Sequence, residues 1–384
     1  MTQSHGYQPK PCIVFGKGPR LFAIADEFDL IDHKRLRTTS PCSPPAFQVR
    51  RAAATNGNDN CKSIKIIERT RIAVKPLVCR TVIAILAAAC ATQGVRAVQP
   101  KIVMVAAGVY ALPGSGGEIT PENGGRTANV AFIVGPRGIV VVDTGTSYRE
   151  GEDIIAAVKS ISNQPIRLAI LTHPGQEAIF GAAAFQARGI PVLAHRRSAE
   201  LIAARCETCL HNLRAVLGEE TMAASRVVKP DRLIDGNKTL ELIGRPLRLI
   251  APQWSSAPGA IAVFDERTST LIAGSLVSID RIPDTRDADP KAWRDALVQI
   301  ESMRCRHLVP GYGPIGSCVD IDAFAHYLVE LETRVEALMK EGVSLGELRD
   351  RCDLPEFARW DQYETLHPQN ANRTYLRLEW SQFK

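Results

Sequence analysis

Three stretches of this 384-residue sequence carry side chains able to do chemistry. The first is Thr172-His173-Pro174-Gly175-Gln176-Glu177-Ala178, in which an imidazole and a carboxylate lie four positions apart. Together they supply at most two nitrogen or oxygen donors, whereas a catalytic zinc ordinarily takes three protein ligands. The second is Cys206-Glu-Thr-Cys209, inside a helical pattern over Ala199–Leu217. A zinc reading needs a second Cys pair or His ligands at matching spacing, and none is evident. A redox pair normally sits at a helix N-terminus, where the dipole lowers the thiol pKa, and this one is mid-helix. A structural or disulfide-bonded pair is therefore favoured over a redox one. The third is glycine-rich, Leu112-Pro-Gly-Ser-Gly-Gly117 through Asn123-Gly-Gly-Arg126. A phosphate cradle needs a strand before it and a helix after it, but here a strand follows. The other histidines of the body, His195, His211, His307, His326 and His367, stand singly at no ligand spacing and read as structural or solvated.

The elements that must position these groups alternate along the chain. Thr127–Val134 and Ile139–Val142 read as strands around the Gly135-Pro-Arg-Gly138 turn. Glu152–Ser160 reads as a helix, Arg167–Leu171 as a strand, Ala178–Arg188 as a helix and Pro191–Ala194 as a strand before the long Ala199–Leu217 helix. Strands at Thr239–Leu242, Leu247–Ile250, Ala260–Phe264 and Thr270–Ala273 follow. A helix at Lys291–Met303, a strand at His307–Val309 and a helix at Ile321–Lys340 complete the pattern. The tail from Ser344 holds a small helix and an aromatic-rich end. Strands on both flanks with helices between and after them predict an α/β protein, an αββα sandwich of two mixed sheets. The acidic, Pro-bearing loop Asp280–Pro290 is expected to line the mouth of any cleft.

Composition sets outer limits. With 45% hydrophobic and 23% charged residues the chain is neither largely disordered nor collagenous. The net charge of +6 invites a nucleic-acid reading, but its distribution does not support one. Residues 1–97 carry 15 Lys/Arg against 6 Asp/Glu, and the rest of the chain 32 against 35. Lys75 and Arg80 precede the apolar run Thr81–Ala91, and Val95-Arg96-Ala97 has the small-x-small form of a cleavage site. Residues 74–97 thus read as a secretory signal peptide too short to serve as an anchor, with a buried core helix as the alternative. Residues 1–73 read as a disordered or spurious extension. The expectation is a periplasmic or secreted product without a membrane span. Five of the ten cysteines, Cys206, Cys209, Cys305, Cys318 and Cys352, fall in that product, and the odd number leaves at least one thiol free or bonded between chains.

Several segments occur in an order that resembles the metallo-β-lactamase superfamily. They are Val140-Val-Val-Asp143-Thr-Gly145, Leu171-Thr-His173, Gly181-Ala-Ala-Ala-Phe185, Leu271-Ile-Ala-Gly274-Ser275-Leu276-Val277 and His307-Leu-Val-Pro310-Gly311-Tyr312-Gly313-Pro314. Within it, the ending Pro368-Gln-Asn-Ala-Asn-Arg-Thr-Tyr375-Leu-Arg-Leu-Glu-Trp380 and the CxxC-bearing helix resemble the exported quinoprotein relay system zinc metallohydrolases. The resemblance spans roughly Val103–Trp380. It implies a metallo-β-lactamase-like domain over 98–340 and a C-terminal extension over 341–384. It also implies that the glycine-rich stretch is a flap over the cleft and that Asp143 orders the neighbouring loop.

The superfamily's zinc loop reads Thr-His-x-His-x-Asp-His, and only His173 matches it. Gly175 and Ala178 carry no donor, and Glu177 is one methylene longer than the expected Asp. By the same correspondence Ser256 stands at the third-motif His, Ser275 at the bridging Asp and Tyr312 at the last His. Six of seven positions differ. No cofactor is expected, and the chain reads as a non-catalytic homologue that binds a small-molecule ligand or a periplasmic quinoprotein partner. The alternative is a metal-dependent hydrolase of an ester, thioester or lactam, with zinc in a rearranged mononuclear site of His173, Glu177 and Tyr312. A Ser–His pair with an orienting carboxylate, using Ser275 or Ser256, is a further option for acyl transfer.

Overall fold

The computed structural model describes residues 101–382. The segments read above as an N-terminal extension and a signal peptide lie outside the described residues. Twelve strands among the described residues form two sheets. The first contains β1 (Val103–Ala106), β2 (Val109–Leu112), β3 (Val130–Gly135), β4 (Gly138–Val142), β5 (Ile166–Ile170), β6 (Val192–His195) and β7 (Arg232–Ile234), in that order. It is antiparallel from β1 to β4 and parallel from β4 to β7. The second, in the order β12-β11-β10-β9-β8, contains β8 (Lys238–Leu240), β9 (Leu247–Ile250), β10 (Ala262–Asp265), β11 (Thr270–Ser278) and β12 (His307–Tyr312), with only β11 and β12 parallel. Both sheets are mixed, as expected.

Strand period explains the layering. On β3 and β4, Ala131, Ile133, Val140 and Val142 point between the sheets, meeting Leu249, Val263 and Ile272. Their neighbours Val130, Phe132, Ile139 and Val141 point outward under helices. Both faces are covered, so β4 is apolar throughout. The first sheet is covered by α1 (Tyr148–Ile161), α2 (Gln176–Ile179), α3 (Ala182–Gln186) and α4 (Arg196–Leu217). The second is covered by α5 (Pro290–Glu301), α6 (Asp320–Lys340), α7 (Leu348–Arg351) and α8 (Tyr363–Gln382). No described helix is long and apolar enough to cross a membrane.

β1, β2 and β7 have no counterpart in the sequence expectation, and four further elements depart from it. The single helix expected over Ala178–Arg188 is two short ones, α2 and α3. The Ala178 carbonyl accepts from Thr144 N and Oγ1, and Gly181 N donates to Gly145 O, so both are lost to a continuous helix. β11 runs through Gly274 to Ser278 instead of stopping at Ala273. Gly274 takes φ +52°, and a Cβ there would lie 2.5 Å from Thr172, so only glycine lets the strand pass the zinc-loop segment. β12 likewise continues through Pro310-Gly311 to Tyr312. The aromatic end of the tail is the 20-residue α8, whose buried face is Tyr363, His367, Asn370, Ala371 and Thr374. That spacing is helical, but the residues are mostly polar, so no apolar period marks it. Residues 343–371 contribute to the same core cluster as α5 and α6.

One ion pair ties the sheets together. Arg245 and Asp265 are 2% and 0% exposed and meet in a two-pronged contact, while Arg245 Nη1 also donates to Ala107 O and Val134 O. Burial alone would raise the Asp265 pKa, but hydrogen bonds from Arg245 and Thr268 hold it below the usual range. Removing one partner of such a pair strands the other without water. Arg245→Ala should therefore lower unfolding stability by about 3–5 kcal/mol. The check is a urea transition, with a shifted midpoint at unchanged slope.

Candidate functional site

β5 ends at Ile170, and the chain then turns across the carboxyl edge of the first sheet, where α/β proteins gather their functional groups. Asp143 follows β4 with φ +65°. Its carboxylate accepts from Thr172 N and Thr172 Oγ1, both at 2.8 Å, which fixes the loop that carries His173. Burial pushes the Asp143 pKa up to about 6 against the pull of His173 and these hydrogen bonds. The Thr172 hydroxyl also lies 2.8 Å from His173 Nδ1. On the opposite edge of the ring, Nε2 lies 2.9 Å from Glu177 Oε1. Tyr312, at the end of β12, donates its hydroxyl to the same Glu177 oxygen. Five side chains, Asp143, Thr172, His173, Glu177 and Tyr312, are thus linked in one buried hydrogen-bonded chain.

The electrostatics follow from that closure. The His173 and Glu177 side chains are only 6% and 13% exposed. Burial would lower the imidazole pKa, but the Glu177 hydrogen bond and charge, with Asp143 behind, raise it above its ordinary value. Burial would likewise raise Glu177, yet His173 and the Tyr312 hydroxyl hold it at about 2. Burial and the Glu177 charge push the Tyr312 phenol well above its usual range, so the hydroxyl keeps its proton. The arrangement is an imidazolium–carboxylate pair with a phenol donor.

The chain borders a cavity of about 510 Å³. Ser256 and Ser275 also line it, with their hydroxyl oxygens 2.9 Å apart. All the residues singled out from the superfamily correspondence except Ala178 line this one space, and Ala178 lies buried in α2 behind it. The Asp280–Pro290 loop contributes Arg281, Ile282, Pro283, Asp284, Arg286 and Asp287 to the mouth. Ser275 and Ser256 bond each other and make no hydrogen bond to His173, so no Ser–His dyad forms.

Two residues that close the site were not picked out from the sequence. Asn129 accepts from Gly114 N and donates to the carbonyls of Pro310 and Gly313, clamping the glycine-rich loop to the end of β12. Asp361 accepts from Gly117 N and from Arg281, whose guanidinium lies 4.8 Å from the centre of the Tyr312 ring. The first part of the glycine-rich loop is therefore fastened at two points, Gly114 and Gly117. Gly117 and Asp361 are 244 positions apart, and no local pattern signals their contact.

Residues 123–312 match the family model of the metallo-beta-lactamase superfamily. A linear primary-alkylsulfatase from Pseudomonas sp. (strain ATCC 19151) is 20% identical over 262 residues, covering 58% of this chain. The chain spans about half of that relative's length, 49%. Among solved structures, a double mutant of the sec-alkyl sulfatase PisA1 superposes with a TM-score of 0.55 at 19% identity, covering 73% of this chain and 50% of that one. A metallo-beta-lactamase from Pontibacter korlensis superposes with a TM-score of 0.50 at 20% identity, covering 60% of this chain and 99% of that one. The sandwich is thus the metallo-β-lactamase fold, and the family match supports membership of the superfamily.

Zinc is the usual metal of that superfamily, and the donor set here does not fit it. Both ring nitrogens of His173 are engaged, by Thr172 and Glu177. The Glu177 carboxylate is neutralised by the imidazolium and the Tyr312 hydroxyl. A Cβ added at Gly175 would overlap Glu177 Oε1 and His173 Nε2, so the carboxylate–imidazole pair fills the space a side chain at 175 would need. Among the described residues no group of three or more His, Cys, Asp or Glu is arranged to hold a metal ion.

The pair has a definite pH signature. Glu177 is depressed, so its contribution to stability is complete above its unfolded value of 4.5 and is lost as pH falls toward about 2. His173 is raised, so its contribution is complete below its unfolded value of 6.5 and is lost as pH rises through the folded value. Glu177→Gln leaves the burial and removes the main counter-charge. His173, followed by NMR titration, should then lose its proton at lower pH than in the unmutated protein; an unchanged titration would rule out the ion pair.

Proposed function

We propose that this chain, built on the metallo-β-lactamase fold, is a metal-independent binding protein whose cavity takes a small organic molecule. The observation that carries this reading is the Glu177 carboxylate, which occupies ligand space, bonds the one matching histidine and is itself capped by Tyr312. Without a bound metal, no Lewis acid lowers the pKa of water toward neutrality. The remaining hydroxyls, Ser256 and Ser275, have no base within hydrogen-bond reach among the described residues. The cavity walls combine apolar surface from Ile119, Leu201 and Leu366 with hydrogen-bonding groups from the serines, Gln176 and Gln369. That mixture suits a ligand with both apolar and polar parts.

The same reading places the protein outside the cytoplasm, in the setting of a periplasmic quinoprotein system. The Cys305–Cys318 disulfide supports an oxidising compartment, and the quinoprotein setting rests on the resemblance of residues 368–380 and of the CxxC-bearing helix. The convergence of His173, Glu177 and Tyr312, together with the likeness to alkylsulfatases, favours a second reading, a metal-dependent hydrolase in which these three side chains part to take a cation.

Zinc loading separates the two. Purified protein incubated with excess zinc and then desalted should retain well under one equivalent, and His173→Ala should not change that figure. A full, chelator-resistant equivalent, with ester or sulfate-ester turnover that His173→Ala abolishes, would establish the hydrolase reading instead.

A further inference from the structure

Cys206 and Cys209 lie on the wall of the cavity, one turn apart on the same face of α4. Cys206 is buried in the core beneath the first sheet, while Cys209 is half-buried at its edge. Their sulfurs are 3.6 Å apart and unbonded, although Cys305 and Cys318 in the same chain are joined. Both line the cavity, and Cys209 is the more accessible of the two.

We propose that Cys206 and Cys209 form a dithiol site in the cavity wall that undergoes thiol–disulfide exchange with small organic disulfides entering the mouth. Arg205, Arg286 and Glu177 act on this pair through their charges, and Asp287 holds Arg205 in an ion pair. Cys209 is the attacking thiol. The Cys206 hydrogen bond and the Arg286 charge bring its pKa down to about 7 against burial and the Glu177 charge. Cys206 is the resolving thiol, its own pKa raised by the bond to Cys209 and by burial.

The exchange balances in two steps. The Cys209 thiolate attacks one sulfur of the small disulfide, whose S–S bond breaks, and the first thiolate leaves and takes a proton from solvent. Cys206 then gives its proton to solvent and attacks the Cys209 sulfur of the mixed disulfide, expelling the second thiolate, which is protonated in turn. The dithiol is oxidised by two electrons and the small disulfide is reduced to two thiols. Bond formation brings the sulfurs from 3.6 Å to about 2.05 Å. The middle of a 22-residue helix resists that closure, so the bond formed is readily reduced and the site is reversible. The inference does not depend on whether the cavity ever holds a metal.

The test treats the folded full-length chain with oxidised glutathione at neutral pH and maps the peptides. The 206–209 peptide should lose two hydrogens with no glutathione attached. Cys206→Ser should accumulate one glutathione on Cys209, and Cys209→Ser should give neither product. Iodoacetamide at neutral pH should alkylate Cys209 on the order of a hundredfold faster than Cys352, whose thiol burial pushes up to about 11. A lasting glutathione adduct in the unmutated protein, or no reaction before denaturant is added, overturns the proposal. The peptide map of the unmutated protein decides the matter even if a variant does not fold.

Discussion

The site depends on one charge-assisted hydrogen bond, between the His173 imidazole and the Glu177 carboxylate, held almost wholly out of water. Buried charges persist only when each finds a partner and its remaining donors and acceptors are satisfied. Here the accounting closes internally. The Thr172 hydroxyl takes the other ring nitrogen and donates its own proton to Asp143, and the Tyr312 hydroxyl donates to the carboxylate. In this arrangement both ring nitrogens of His173 and the Oε1 oxygen of Glu177 are already engaged within the protein. The pair also occupies the volume that a side chain at position 175 would need.

The scaffold around that bond is the one expected of its fold; what departs from the superfamily pattern is the set of side chains it carries. Asp143 still pins Thr172 at the edge of the first sheet. Gly274 still lets β11 pass Thr172, and β12 still delivers residue 312 to the same point from the second sheet. Around them, Asn129 and Asp361 draw the glycine-rich loop, the 280–290 loop and the C-terminal region into one enclosure. Cavity, mouth and polar floor are therefore built where the edges of the two sheets and these loops meet.

Much of this was legible in the amino-acid order. The alternation over Thr127–Val134, the wholly apolar run Ile139–Val142 and the helical pattern of α4 announce their elements, and the ordered superfamily segments name the positions that meet. What escaped has physical reasons. α8 buries Tyr363, His367, Asn370 and Thr374, a helical face written in polar residues and recognisable only once Thr285, Tyr327 and Cys352 are seen to satisfy it. The break between α2 and α3 comes from carbonyls and amides diverted to the Thr144–Gly145 turn, a tertiary effect. The Cys305–Cys318 bond could not be chosen among five cysteines by parity alone. The role of Glu177 was half visible: its type and spacing marked it as a poor substitute for an Asp ligand, but only the structure pairs it with His173 and Tyr312.

The most direct test is a crystal structure of the protein grown with excess zinc, with diffraction data collected at the zinc absorption edge. No anomalous peak should lie within bonding distance of His173 Nε2, and Glu177 should still hold the imidazole. A peak about 2.0–2.1 Å from that nitrogen, with Glu177 and Tyr312 swung onto the metal, would contradict the account.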